Sequence, residues 1–149
     1  MAIELRKIDA ANKDAVVLLE VLDSQKQYIA PNNKSLETAT KEEYKNIARP
    51  FAIYADDNLV GFTMFAFDFE DSAPEYWLWR FMIDKSFQGK GYGSASLEKI
   101  IEYFRDNGAN HIFLSTKKTN SSALKLYHNY RFVETGEMNN DEIVLQLIL

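Results

Sequence analysis

An apolar, aromatic run from Tyr76 to Asp84, Tyr-Trp-Leu-Trp-Arg-Phe-Met-Ile-Asp, leads into Gln88-Gly89-Lys90-Gly91-Tyr92-Gly93. An amphipathic helix pattern, Ser94 to Asn107, follows at once. Strand, glycine-rich loop and helix N-terminus in that order present several backbone N–H groups to an anion, above all a phosphate. The glycines let the backbone approach the ligand closely and take positive φ where needed. In the helix, Leu97, Ile100, Ile101 and Phe104 recur at i, i+3, i+4 and i+7, a core-facing stripe, and Asn107-Gly108 supplies the stop.

The rest of the chain alternates between the two periods. Ile3–Ile8 predicts a strand. Asp9 or Asn12 is placed to cap a helix to about Asp23 with Ala15, Leu18, Leu19 and Leu22 on one face. A turn-rich stretch from Ala30 to Ser35 precedes a second helix over 39–48, which Arg49-Pro50 ends. Phe51–Ala55 and Leu59–Phe69 predict a hairpin through Asp56-Asp57-Asn58. After the glycine loop and its helix come a strand His111–Thr116, a helix Asn120–Tyr130, and strands Phe132–Thr135 and Ile143–Ile148. The order βααβββαβαββ describes a single α/β domain over residues 1–149, built on a mixed sheet flanked by helices.

Composition narrows the function classes. There is no cysteine, so disulfides, thiolate metal sites and a cysteine nucleophile are excluded, which suits a cytoplasmic location. His111 and His128 stand far apart without ligand-like company, so no metal is expected. A net charge of −5 argues against nucleic acid and permits a cationic small molecule. No stretch is long and apolar enough to span a membrane, and the first residues do not read as a signal peptide.

The glycine loop has three better-known rivals, and none fits. Its Gly89-x-Gly91-x-Gly93 spacing is not that of a dinucleotide fingerprint, and no upstream βαβ unit surrounds it. The upstream glycine and the hydroxyl of a Walker loop are missing. A protein kinase would need a longer chain with catalytic-loop motifs. The motif Gln88-x-x-Gly91-x-Gly93 instead resembles the cofactor loop of the GNAT family of N-acetyltransferases. The likeness spans nearly the whole chain. Within the family, Trp77–Asp84 and Tyr127-His128-Asn129-Tyr130-Arg131-Phe132 are most similar to bacterial spermine/spermidine N-acetyltransferases.

That resemblance implies a mostly antiparallel central sheet and acetyl-CoA as cosubstrate. The loop amides of Gly89, Lys90, Gly91, Tyr92, Gly93 and Ser94 would hold the pyrophosphate, with Gln88 at the mouth of the loop. The main chain of Phe81, Met82 and Ile83 would pair with the pantetheine arm. Asn120 would cap its helix and touch the cofactor. Tyr127 would protonate the departing thiolate, a role that suits a neutral phenol. Trp77 and Trp79, with Tyr28 and Tyr44, are candidates to line an amine channel through cation–π attraction. The resemblance also allows a homodimer.

One position departs from the pattern. An alkylamine with a pKa near 10.4 is neutral in only about one molecule in 2,500 at pH 7, a handicap of about 4.6 kcal/mol. Similar polyamine acetyltransferases carry a carboxylate two residues before the pantetheine-binding Phe, and here that position is Trp79. Glu75, earlier on the same strand, and the loop acids Asp68, Glu70 and Asp71 are the candidate replacements. Arg131, where the family often has glycine, departs too. The expected activity is direct acetyl transfer to a primary amine, with spermine or spermidine as the leading acceptor. The alternatives are another amine (a protein N-terminus, an amino acid, an aminoglycoside) or a non-catalytic acetyl-CoA-binding module.

Overall fold

The computed structural model describes residues 1–70 and 72–149. Asp71, one of the loop acids considered above, lies outside the described residues. Among the described residues seven strands form one sheet: β1 (Ile3–Lys7), β2 (Ala48–Ala55), β3 (Asn58–Asp68), β4 (Glu75–Ile83), β5 (His111–Thr116), β6 (Val133–Asn139) and β7 (Glu142–Ile148). Their spatial order is β1-β2-β3-β4-β5-β7-β6. Every neighbouring pair is antiparallel except β4 with β5, so the sheet is mixed and mostly antiparallel, as expected. Helices α1 (Lys13–Leu18), α2 (Asn32–Ala39), α3 (Tyr92–Asp106) and α4 (Ser121–Asn129) complete the order read from the sequence.

The hydrophobic periodicity explains the layers. Leu97, Ile100, Ile101 and Phe104 of α3 are buried against Phe65, Phe67, Tyr76 and Leu78 of the sheet and Ile112, Leu114 and Leu145 beyond them. Phe104 stands 4.8 Å from the ring of Phe65 and 5.1 Å from that of Phe67. On the other face, Val16 and Leu36 of the two short helices cover Ala52, Phe62, Met64 and Met82. The β2–β3 hairpin closes through Asp56 and Asp57, both at positive φ (49° and 68°), the two-residue turn whose twist matches the strands.

The helical arm between β1 and β2 differs from expectation. The first helix stops at Leu18 rather than Asp23; Leu18 and Leu22 are exposed, and Val16 is the residue that reaches the core. Long-range hydrogen bonds decide this. The Glu20 N–H donates to Asp84 Oδ1 at 2.8 Å and its carbonyl accepts from the Lys85 N–H at 2.7 Å, so peptide groups that a longer helix would use are drawn to the end of β4. The second helix is Asn32–Ala39 rather than 39–48. Pro31 sets its entry, and buried Asn32 donates to the carbonyl of Val16. The preference of a residue before proline for extended backbone holds, but it places Ala48 and Arg49 in β2 instead of closing a helix.

Two irregularities of β4 open a gap in the sheet. Met64 pairs with Arg80 and Phe65 with Leu78, so Trp79 is the extra residue of a β-bulge. Toward β5 the registered pair is Trp77 with Phe113, and beyond it the two parallel strands part.

Candidate active site

Where β4 leaves β5, a cleft of about 960 Å³ opens across the sheet. Its wall on one side is the far half of β4, Trp77 to Ile83. Opposite are Leu114, Ser115 and Thr116 of β5, Asn120 at the N-cap of α4, and Ala123, Leu126 and Tyr127 along that helix. The glycine loop closes one end through Gln88, Gly89 and Gly93, and residues 25–31 of the helical arm lie over it. The Tyr28 hydroxyl reaches the carbonyl of Thr119 at 3.0 Å and ties that arm to the approach of α4.

Local chemistry builds the loop. Gly89 and Gly91 take φ of +75° and +86°, which side chains disfavour, and a Cβ at Gly89 would meet nothing within 4 Å. Among the described residues no side chain caps α3, whose N-cap is Gly91, so the first amides of a 15-residue helix are open to a ligand. The Gln88 amide donates to the Ile83 carbonyl at 2.9 Å and exchanges hydrogen bonds with Gln25 at 2.8 and 3.0 Å, fixing the loop to β4 and to the helical arm. Lys90 donates to Ser86 O, and the Tyr92 ring packs edge-on against Phe87, so their side chains shape the loop rather than line the cleft. The cleft thus joins open glycines and uncapped amides to the free edge of a strand, a set that fits a long ligand with a phosphate at one end.

Tyr127 is buried, tilted against Phe132 at 5.6 Å, and lines the cleft. Its hydroxyl makes no hydrogen bond among the described residues, and burial pushes the phenol above its ordinary value near 10, so it holds its proton throughout the neutral range. Asn120 occupies the N-cap position of α4, but its side chain donates to Thr116 Oγ1 at 3.1 Å instead of capping the helix. Trp77, Trp79, Tyr28 and Tyr44 all border the cleft, with Tyr44 edge-on to Trp79 at 5.1 Å. Glu75 does not: its carboxylate accepts from the Trp77 indole at 3.0 Å outside the cleft. Asp68 of the loop acids reaches the lining.

Several lining residues were not singled out from the sequence. Glu142 at the start of β7 accepts from Ser115 Oγ at 2.8 Å, beside Asp141, which pairs with Lys117 at 3.6 Å. Arg80 lies half-buried among them; burial lowers its pKa, and Glu142 opposes that only through space. An arginine within the aromatic and aliphatic run Tyr76–Ile83 was the signal available in the sequence. Among the described residues, no group of three or more His, Cys, Asp or Glu is placed to hold a metal ion, and no helix is long and apolar enough to cross a membrane.

The sequence model described as "Acetyltransferase (GNAT) family" matches residues 17–132. The chain belongs to the GNAT acetyltransferase family. As a family member it is an N-acetyltransferase, and two curated relatives carry that activity in their names. A probable spermine N(1)-acetyltransferase of Bacillus subtilis subsp. natto is 32% identical over 97% of both chains. A spermine/spermidine N(1)-acetyltransferase of Bacillus subtilis is 31% identical over the same share. Among solved structures, the paiA N-acetyltransferase of Thermoplasma acidophilum, in complex with coenzyme A, superposes with a TM-score of 0.75 over 100% of both chains at 17% identity. The spermidine N-acetyltransferase of Vibrio cholerae, in complex with CoA and spermine, does so at 0.76 over 98% of this chain and 95% of that one at 20% identity. At these identities the superpositions establish the GNAT fold.

Proposed function

We propose that this GNAT protein moves the acetyl group of acetyl-CoA directly to a primary amine of a polyamine such as spermine or spermidine. The observation that carries the reading is Tyr127, a protonated phenol with no hydrogen-bond partner among the described residues, set in the wall of a cleft whose far end is a ready anion cradle. In this reading the pyrophosphate sits on the amides of Gly89 to Ser94 and the pantetheine arm pairs with the main chain of Phe81 to Ile83. The thioester then lies between β4 and Tyr127.

The neutral amine attacks the carbonyl carbon, whose oxygen is held by a main-chain N–H of β4 near the bulge. The C–N bond forms, the C–S bond breaks, and Tyr127 gives its proton to the departing thiolate. The proton shed by the new amide nitrogen returns to Tyr127 through solvent, so the balance is one proton from nitrogen to sulfur. No covalent enzyme intermediate is required, in keeping with a chain without cysteine. The polyamine acceptor is supported by the names of the two Bacillus subtilis relatives and by Asp68, Asp141 and Glu142 along the cleft, which suit distal ammonium groups.

The test is thiol release from acetyl-CoA with spermine, spermidine, putrescine, lysine and an aminoglycoside, for wild type and Tyr127→Phe. The expected result is turnover on the polyamines, with kcat cut by about 10²–10³-fold in the variant while CoA affinity holds. Tight CoA binding without turnover on any of these amines would defeat the proposal.

A further inference from the structure

Position 79 bears an indole where a proton acceptor would be useful, and the next residue bears a positive charge. The Arg80 guanidinium is half-buried, and its hydrogen-bond partners are neutral: Ser35 Oγ from Nε at 3.3 Å and the Trp79 carbonyl from Nη1 at 3.0 Å. It also stands 5.4 Å from the Trp79 ring centroid. Among the described residues it forms no ion pair. A half-buried cation without a direct counter-ion is costly, and such groups cluster at functional sites. No carboxylate touches it, Glu142 acting on it only through space, and it faces the cleft from the strand that also carries the bulge.

The other charged and titratable groups of the cleft are distributed unevenly around it. Tyr28, Tyr44 and Lys26 come from the helical arm, where Lys26 is paired with Asp23 at 2.9 Å. Tyr127 comes from α4 and is neutral. The carboxylates stand on other elements: Asp68 at the end of β3, Asp141 in the β6–β7 turn and Glu142 on β7, the last held by Ser115. The cleft therefore offers a cation and an indole on β4, and acids around them.

We propose that Arg80, with Trp79, holds the attacking amine in its neutral form and thereby selects which nitrogen of the acceptor reacts. This rests on the acceptor class and the thioester position proposed above. An ammonium group beside Arg80 would meet like charge, and the Trp79 ring that could attract it already has the guanidinium 5.4 Å from its centroid, so that nitrogen binds as the free amine and leaves its proton in bulk water on entry. The remaining nitrogens stay protonated beside Asp68, Asp141 and Glu142. A like charge at about 6 Å, in an effective dielectric of about 20 to 40, lowers an amine pKa by roughly one to two pH units. The arrangement thus does by charge repulsion what a carboxylate base at position 79 would do by proton abstraction.

The direct test is a ¹³C NMR titration of spermine, labelled on its terminal methylenes, bound to the complex of the protein with CoA, which cannot react. The pH dependence of kcat at saturating spermine reports the same complex in turnover. Wild type, Arg80→Met and Arg80→Lys are compared, with melting temperature and CoA affinity showing that each variant is folded. The expected result is one terminal methylene titrating at least one pH unit below the free amine in wild type and in Arg80→Lys. In Arg80→Met that titration and the rising limb of kcat should both move alkaline by roughly one to two pH units.

Turnover on spermine with both titrations unchanged in Arg80→Met would overturn this role while leaving the acetyltransferase reading intact. A rise in KM for lysine alone would overturn it too, marking Arg80 as an anchor for an acceptor carboxylate. Failure of spermine to bind at all would overturn the acceptor class and this role together.

Discussion

Replacing Gly61 by alanine tests how far the site depends on the close approach of β3 to the end of β4. Gly61 pairs with Ile83, and a Cβ built on it would stand 2.4 Å from the Met82 carbonyl oxygen and 3.0 Å from Ile83 Cδ1. The side chain of Ile83 can yield by leaving its rotamer, at about 0.5–1.5 kcal/mol. The Met82 oxygen is backbone and cannot yield without moving the strand. The gap needed is about 1 Å, and β3 is held between β2 and β4, so the strain is shared with the sheet. Overpacking of that kind costs about 1–3 kcal/mol, for a total near 2–4 kcal/mol. At about 2–4 °C per kcal/mol for a chain of this size, the melting temperature should fall by roughly 5–15 °C. Because Phe81 to Ile83 are the residues proposed to meet the pantetheine arm, CoA affinity measured by calorimetry should fall at least about tenfold. Gly136→Ala, at φ +87° with nothing within 4 Å, is the control, losing only about 1–2 kcal/mol and no CoA affinity. A Gly61→Ala protein that melts within about 2 °C of wild type and binds CoA equally well would refute the reasoning.

Other outcomes rest on the same geometry. Gly91→Ala places a methyl group in space that the protein leaves open except for Met1 Cε at 3.7 Å, so it should cost only about 1–2 kcal/mol of stability, while a loss of CoA affinity of tenfold or more in titration would mark the pyrophosphate approach. Phe104→Ala removes a fully buried ring packed on Phe65 and Phe67 and should lower the unfolding free energy by about 3–5 kcal/mol in urea. His111 is held neutral, first by burial, and its Nε2 accepts from the Tyr76 N–H, so its pKa lies below the ordinary 6.5 although Glu75 pulls it upward. The stability it contributes is present above pH 6.5 and is lost as pH falls, so wild type should lose more melting temperature between pH 7 and pH 5 than His111→Gln does.

The parts of the fold that were legible in the sequence are those whose cause is local. The stripe of α3, the Asp56-Asp57 turn and the glycine loop each arise from neighbouring residues, and each stands within a residue or two of its expected bounds. The helical arm was not legible, because its ends are set by distant partners: Asp84 and Lys85 stop α1, and Val16 receives Asn32. The same holds for the site. Tyr127 and the loop carry a motif, whereas Arg80 and Glu142 meet in the cleft only because β4 parts from β5 and β7 pairs alongside β5. The Asn120 side chain shows the limit of a capping rule, since Thr116 offered it a better partner than its own helix.

The parting of β4 from β5 also bears on how such a chain can change over generations. Peptide groups are the same in every residue except proline, so a donor held by the main chain of β4, as proposed, constrains its side chains very little. Substitutions at 79 and 80 can then accumulate on the acceptor's side of the cleft without eroding the donor's. After a gene duplication, one copy could drift toward a new amine while keeping its acetyl source.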